Sequence, residues 1–106
     1  MISENQLKEL VDKIVKEYHP EKILLFGSYS DGSANNDSDL DLLVIKESHE
    51  SRSNRIADLR MRLLKYKFEF PIDVLVYTNK ELQDENLGRF SFIYNVLKSG
   101  KVVYEQ

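Results

Sequence analysis

Two carboxylates on one strand and a third on another are the residues most able to do chemistry in this chain. Asp39 and Asp41 open an apolar stretch that ends at Ile45, and Asp73 lies in a second stretch with β-branched neighbours. Side chains two positions apart on a strand share a face, with Cα atoms roughly 6.5–7 Å apart. Aspartate is a poor strand former, and carboxylates gathered on one face repel one another. A divalent cation removes that repulsion. Mg²⁺ prefers such oxygen ligands together with substrate phosphates, which predicts a metal centre for phosphoryl transfer.

A candidate phosphate-binding turn precedes the first acidic pair. Gly27-Ser28 ends an apolar run, and ten residues separate it from Asp39. Glycine permits close backbone approach, and Ser28 offers a hydroxyl and a backbone N–H. If residues 28–31 open a helical turn, their N–H groups point at an anion. No Lys or Arg lies between Lys22 and Lys46. We therefore expect bound metal to neutralise most of the phosphate charge, and the metal-free protein to bind nucleotide weakly.

Ordinary turn chemistry is the competing interpretation of these residues. Asp37-Ser38 are common turn residues, Asp39 could cap the strand, and a Gly-Ser pair is frequent in turns. One Asp-x-Asp is weak evidence by itself. The combination is more specific, because an apolar strand, Gly-Ser, Asp-x-Asp, a second apolar strand and a later Asp73 follow in order.

Hydrophobic spacing predicts the elements that would position these groups. We expect helices over 3–18, 50–67 and 80–87, a helical segment from Phe90 to Leu97, and strands over 22–27, 39–45, 71–77 and 101–105. The fold class is α/β (α+β): one small mixed β-sheet packed with helices in two or three layers, with residues 1–106 as a single domain. The first two strands can pair antiparallel, and a helix between the second and third allows a parallel crossover. Gly27, Ser28 and the three aspartates would then converge at one edge of the sheet.

The composition limits the cellular compartments and the classes of binding partner that are expected for this chain. The chain has no cysteine, which excludes disulfides and zinc–thiolate sites, and its net charge of −3 argues against nucleic acid as the main partner. It has no signal-like or membrane-length apolar run, so we expect a soluble cytoplasmic protein.

The helix over 50–67 is distinctly basic. Its residues 52–67 carry six cations against one acid, Asp58. A solvated face is the simpler interpretation, and a surface for an acidic partner or for nucleotide phosphates is the alternative. Its expected core stripe is Ile56, Leu59 and Leu63, with Leu64 beside them.

The motifs as a set resemble a known family. Phe26-Gly27-Ser28, Gly32, the run from Asp37 to Leu42 and Ile72-Asp73-Val74 are similar to the minimal nucleotidyltransferase (MNT) family of the DNA polymerase β superfamily. The resemblance spans nearly the whole chain. It implies the nucleotidyltransferase fold, with Gly27 and Ser28 holding the nucleoside triphosphate. It also implies that Asp39 and Asp41 bind two Mg²⁺ ions, and that Asp73 completes the set and helps to activate the attacking hydroxyl.

The resemblance also implies a partner. Many members of the family are antitoxins paired with a HEPN-family toxin, and some are described as transferring AMP from ATP to a tyrosine of that partner. The short chain leaves little room for an acceptor-binding region of its own, so a complex with a partner protein is expected. Several aromatic residues are available for that contact, although core packing is the simpler role: Tyr66, Phe68, Phe70, Phe90, Phe92 and Tyr94.

Three functions remain in competition at this point. The first is a Mg²⁺-dependent protein adenylyltransferase, and the second is an antitoxin that neutralises its partner by occlusion alone. The third is a transferase for a small molecule or RNA, which the length and the acidity disfavour.

Asp31 departs from the family pattern, because many relatives have a basic residue there. An acid at this position would weaken nucleotide binding or change the acceptor, but it leaves the three aspartates untouched.

Overall fold

A mixed sheet of order β3-β2-β1-β4 forms the centre of the fold. Its strands are β1 (Lys22–Phe26), β2 (Leu40–Ile45), β3 (Ile72–Tyr77) and β4 (Lys101–Glu105). β1 pairs antiparallel with both β2 and β4, whereas β2 and β3 run parallel. The structure, a computed structural model, describes residues 1–84 and 91–106. The predicted mixed α/β sheet, its antiparallel first pair and its parallel crossover are confirmed.

Helices cover both faces of this sheet. They are α1 (Glu4–Tyr18), α2 (Ser28–Asp31), α3 (Arg52–Leu63), α4 (Asn79–Leu82) and α5 (Phe92–Ser99), and a turn of 3-10 helix over Leu64–Tyr66 extends α3. The helix predicted over 80–87 begins earlier and ends at Leu82; residues 85–87 and Phe90 lie outside the described residues. None of the helices in residues 1–84 and 91–106 is both long and apolar enough to cross a bilayer.

Local sequence accounts for the ends of the first helix. Ser3 and Gln6 form the predicted capping box, in which each side chain accepts a hydrogen bond from the other residue's backbone N–H. At the other end His19 adopts a left-handed conformation with φ 53°, and Pro20 follows. The chain therefore turns sharply into β1.

The larger core lies between the sheet and the pair α1 and α3. It takes the alternate strand residues that face these helices: Ile23, Leu25, Leu40, Leu42, Val44, Val74 and Val76. The opposite face buries a smaller cluster in which Val96 of α5 covers Leu24, Phe26 and Leu43. Because side chains alternate along a strand, this two-sided burial fixes the register of β2. It leaves position 41 on the α5 side of the sheet.

The structure corrects two expectations for the basic helix. Leu59 and Leu63 are buried as predicted, but Leu64 is 65% exposed because the helix tightens to 3-10 geometry at that residue. Arg55 is only 4% exposed, so it belongs to the interior and not to a solvated face. The remaining cations are largely neutralised by ion pairs, since Arg52, Arg62 and Lys65 contact Glu81, Asp58 and Glu17.

A partly buried ion pair joins α3 to β3 and α4. The Arg55 guanidinium donates to both carboxylate oxygens of Glu81, at 2.7 and 2.9 Å, and to the carbonyl oxygen of Val76 at 2.8 Å. Glu81 also accepts the backbone N–H of Thr78 at 2.8 Å. These bonds lower the pKa of Glu81 from 4.5 to about 2, with the hydrogen bonds from Arg55 as the largest cause. The pair clamps the crossover that delivers β3.

This pair predicts a loss of stability in acid. A depressed carboxyl pKa stabilises the folded state above the unfolded pKa near 4.5, and the contribution disappears as the pH falls towards 2. We expect wild type to lose roughly 2–3 kcal/mol of unfolding free energy between pH 5 and pH 2 through this group. Glu81→Gln should lower stability at pH 7 by about 3 kcal/mol, because it leaves Arg55 buried without a counter-charge, and should flatten the acid dependence.

Urea denaturation followed by circular dichroism measures both effects. Glu105→Gln is the matched control, because its partner Lys22 and the glutamate itself are substantially exposed, and it should change stability by less than about 0.5 kcal/mol. Equal acid dependence in Glu81→Gln and wild type would show that the pair does not stabilise the fold.

Candidate active site

The parallel register brings two of the predicted acids to neighbouring positions. Asp41 of β2 pairs with Asp73 of β3, and on its other side Asp41 pairs with Phe26 of β1. Asp39 lies immediately before β2 and is exposed, and the alternation of the strand places it on the same face as Asp41. Strand pairing therefore brings together the end of β1 and the beginnings of β2 and β3, as the sequence predicts.

The pKa of Asp41 shows that its carboxylate is repelled by those of Asp39 and Asp73. Its side chain is half-buried, and burial is the largest cause that raises the pKa of Asp41. The negative charges of Asp73 and Asp39 raise that pKa further. Both causes disfavour the ionised carboxylate in the folded protein. A cation placed among the three groups would relieve this penalty, which is the property expected of a metal-binding cluster.

Gly27 lies directly against the Asp41 carboxylate. Its φ is +76°, a conformation that disfavours any side chain, and a Cβ built on it would collide with Asp41 Oδ2 and lie 3.3 Å from Cγ. The absence of a side chain thus lets the turn after β1 close over the acid. The sequence predicts close approach to a phosphate at Gly27; the structure adds a close approach to the carboxylate.

A single helical turn follows Gly27, as the sequence predicts. Ser28 opens α2, and the N–H groups of Ser30 and Asp31 donate to the Gly27 carbonyl at 3.0 and 3.2 Å. The Tyr29 hydroxyl accepts the backbone N–H of Ile2 at 3.1 Å, which anchors this turn to the start of the chain. The turn is therefore held in place, and Ser28 lies at its start with a hydroxyl and a backbone N–H that a ligand could use.

Asp31 keeps its charge at the end of this turn. Its Oδ1 accepts the backbone N–H of Ser33 at 2.9 Å and the Ser33 hydroxyl at 2.6 Å. These hydrogen bonds lower the pKa of Asp31. The carboxylate is consequently a fixed negative charge at neutral pH, so it adds repulsion against a phosphate placed next to it.

The aspartates do not yet surround one point. Within residues 1–84 and 91–106, no three His, Cys, Asp or Glu side chains converge closely enough to hold one metal ion. Asp73 instead contacts Arg60 Nη2 at 3.6 Å, with both side chains more than half exposed. The donor set still fits Mg²⁺, because it consists of carboxylates with one member destabilised by its neighbours. An ion shared by the three would require Asp73 to leave Arg60, and an exposed pair at this distance is weak.

Arg60 is the site residue that the sequence did not single out. It is one of six cations in the basic stretch, and no feature of its own spacing separates it from the others. Its contact depends on how α3 lies along β3, which is a property of packing. A cation next to the third acid is therefore visible only in the structure.

Comparison with known proteins identifies the family. The family model described as "Polymerase beta, Nucleotidyltransferase" matches residues 8–106. The chain belongs to this nucleotidyltransferase family. The predicted family resemblance, fold and enzyme class are thereby confirmed.

Individual relatives agree with that assignment. The nucleotidyltransferase is 33% identical over 106 residues to "Putative protein adenylyltransferase MJ0604" of Methanocaldococcus jannaschii, covering 98% of this chain and 100% of the relative. A crystal structure described as a nucleotidyltransferase of Sulfolobus solfataricus superposes with a TM-score of 0.65 at 16% identity, over 94% of this chain and 78% of the other. A toxin–antitoxin crystal structure with AMP-PNP gives a TM-score of 0.63 at 20% identity, over 93% and 73% of the two chains. The solved structures support the fold.

Two glycines of this nucleotidyltransferase provide a matched test of the site. Gly27 and Gly32 both have positive φ, at +76° and +83°, but a Cβ on Gly32 would meet nothing within 4 Å. Gly32→Ala should lose about 1 kcal/mol of stability through backbone strain alone. Gly27→Ala should lose the same stability and should also displace the Asp41 carboxylate. Mn²⁺ binding should then weaken by at least about tenfold, which is the free energy of about one lost hydrogen bond to a charged group.

Urea denaturation and titration with Mn²⁺ followed by electron paramagnetic resonance separate the two effects. Equal Mn²⁺ affinity in Gly27→Ala and Gly32→Ala would contradict the role assigned to the Gly27–Asp41 contact.

Proposed function

We propose that this nucleotidyltransferase transfers AMP from ATP to a tyrosine hydroxyl of a HEPN-type toxin and so acts as its antitoxin in the cytoplasm. Two Mg²⁺ ions are the proposed cofactors. The observation that carries the proposal is the register that sets Asp41 between the Gly27-Ser28 turn and Asp73, with Asp39 on the same face. A Gly-Ser turn in contact with one of three neighbouring carboxylates suits nucleotidyl transfer.

Each residue has a separate proposed role. Gly27 and Ser28 bind the triphosphate through backbone N–H and hydroxyl groups, and Asp39 and Asp41 hold the metal. The metal, when bound, neutralises the phosphates and stabilises the charge of the transition state. The Asp73 side chain is 57% exposed, so it can meet a hydroxyl presented by another protein.

The proposed reaction balances with these groups. The acceptor oxygen forms a bond to the α-phosphorus of ATP, and the bond from that phosphorus to the bridging oxygen breaks, which releases pyrophosphate. Asp73 accepts the proton of the attacking hydroxyl, for which it must first release Arg60. The Arg60–Asp73 ion pair would thus be present before the substrates bind and absent during transfer.

The surface beside Asp73 supports a protein acceptor. A groove of about 310 Å³ runs between α3 and β3, and it is lined by Arg60, Leu63, Leu64, Phe68, Phe70 and Ile72 among others. Leu64 and the neighbouring Met61 are 65% and 68% exposed. A largely apolar groove next to the proposed base suits a protein segment better than a phosphate backbone. The relative named as a protein adenylyltransferase and the toxin–antitoxin neighbours agree with this choice.

An antitoxin that acts by occlusion is the second candidate. Two observations favour it. No three acids among the described residues converge closely enough to hold a metal ion, and Asp73 is ion-paired with Arg60. In that case the groove would bind the partner without any chemistry. The same complex would form under both hypotheses, so only the transfer reaction separates them.

Labelling the partner tests the proposed chemistry. With α-³²P-ATP, Mg²⁺ and a purified HEPN-type partner protein, wild type should label the partner. Asp39→Asn with Asp41→Asn should reduce labelling by at least about a thousandfold, because electrostatic stabilisation of a transition state is worth several kcal/mol. Asp37→Asn is the matched control, since it removes an exposed acid from the same loop, and it should leave labelling within about twofold of wild type.

Growth of cells that express the partner separates the two candidates. If the double variant forms the complex and still rescues growth as well as wild type, occlusion is the better account. If wild type labels no partner residue although the complex forms, the proposed transfer is wrong.

A further inference from the structure

A second cavity lies beside the Gly27 turn, on the side away from Asp73. It measures about 300 Å³ and is lined by Phe26, Gly27 and Asp31 on one side and by Phe92, Asn95 and Ser99 of α5 on the other. The α5 residues recur at helical spacing, so they belong to one face of the helix. Phe26 is also the register partner of Asp41. The cavity is therefore continuous with the proposed site, which it meets at Gly27, but the α5 residues that line it have no role assigned above.

Phe92 gives this cavity an exposed aromatic wall. The side chain is 60% exposed, although it is large and apolar. Its ring meets Phe26 edge to face, with centroids 5.5 Å apart and an interplanar angle of 77°. One edge of the pair is thus fixed by packing, while much of the ring surface remains open. An open aromatic ring held in place is a suitable platform for a planar base.

Asn95 supplies a polar group one helical turn further along. Its backbone carbonyl accepts the Ser99 hydroxyl at 2.7 Å, whereas its side-chain amide makes no hydrogen bond within residues 1–84 and 91–106. A side-chain amide presents a donor and an acceptor side by side. This pair matches the N6 amino group and the N7 acceptor of adenine.

The charges of the cavity disfavour a phosphate, because its lining, among the residues described, places no carboxylate where a metal ion could be shared with Asp39 and Asp41. None of the residues that line it in the described part of the chain is Lys or Arg, and Asp31 contributes a negative charge held by Ser33. A carboxylate suits the donors of a neutral nucleoside, such as an amino or hydroxyl group. This difference would orient a nucleotide with its phosphates towards Ser28 and the three aspartates and with its base towards α5.

We propose that this cavity binds the base of the nucleotide substrate and selects adenine, with Phe92 stacking on the ring and Asn95 pairing with its amino edge. The inference rests on the proposed function only in that it assigns the position of the base of the same ATP. It also gives Asp31 a use, as an acceptor for the nucleoside. The acid that departs from the family pattern then serves the uncharged half of the substrate.

Adenosine tests the cavity without metal, phosphate or transfer. Added at millimolar concentration to the ¹⁵N-labelled chain, it should shift the Asn95 side-chain amide signals and the backbone signals of Gly27 and Phe92 in nuclear magnetic resonance spectra. Phe92→Ala should weaken adenosine binding by about tenfold or more, as expected for a lost stacking platform. Tyr94→Ala is the matched control, because Tyr94 lies on the same helix outside the cavity, and it should bind like wild type.

Selectivity tests the role of Asn95. We expect the Mg²⁺-loaded protein to bind ATP at least about tenfold more tightly than GTP in calorimetry, and Asn95→Leu to abolish most of that preference. Circular dichroism should show that these variants at exposed positions keep the wild-type fold. Unchanged adenosine affinity in Phe92→Ala, or unchanged selectivity in Asn95→Leu, would overturn the inference.

The outcomes for the base site and for the reaction are distinguishable. If Asp39→Asn with Asp41→Asn abolishes partner labelling while Phe92→Ala leaves nucleotide binding intact, the transfer reaction stands and the base site is wrong. If adenosine binds at Phe92 but wild type transfers nothing to its partner, the base site stands and the proposed function is wrong.

Discussion

The contact between the Gly27 backbone and the Asp41 carboxylate is the constraint on which the site depends. It needs a residue without a side chain at the end of β1, and it needs β2 to present an acid at the paired position. Neither condition favours folding by itself, because a glycine loses more conformational entropy than other residues and a half-buried carboxylate loses solvation. The sheet supplies the compensation, since it buries β1 and β2 on both faces. The packed sheet therefore holds in place a turn and a carboxylate that would not be favourable without it.

Buried charge in this protein is neutralised by an ion pair, whereas the acids near Gly27 are largely left without counter-charges in the part of the chain that the structure describes. Arg55 is the one buried cation among the residues described. Its charge is neutralised by Glu81 across the crossover between α3 and β3. Within residues 1–84 and 91–106, the acids near Gly27 have no comparable counter-charge apart from the loose contact of Asp73 with Arg60. The unneutralised negative charge is thus concentrated around Asp41. The neutralised Arg55–Glu81 pair stabilises the fold, and the unneutralised carboxylates lie at the candidate active site.

Much of this arrangement could be predicted from the sequence, because the signals were local. Alternation along residues 39–45 and 71–77 predicted the faces of β2 and β3, and the helix between them predicted the parallel register that joins Asp41 to Asp73. The roles proposed for Ser28 and the three aspartates remain predictions. What the sequence could not predict depends on distant packing: the burial of Arg55, the exposure of Leu64 and the Arg60–Asp73 contact. Residue type and spacing carry no information on which cation of a basic helix faces inwards.

The position of β4 has a consequence for how the protein is made. β1 lies between β2 and β4, so one side of the strand that ends in Gly27 pairs with residues 101–105. The face of β1 that carries Leu24 and Phe26 is likewise covered by Val96 of α5. On the ribosome, the strand that ends in Gly27 therefore remains an uncovered sheet edge until residues 101–105 have been synthesised. A nascent chain that stops short of β4 exposes Asp41 and its neighbouring acids without the packing that holds them in place in the folded protein.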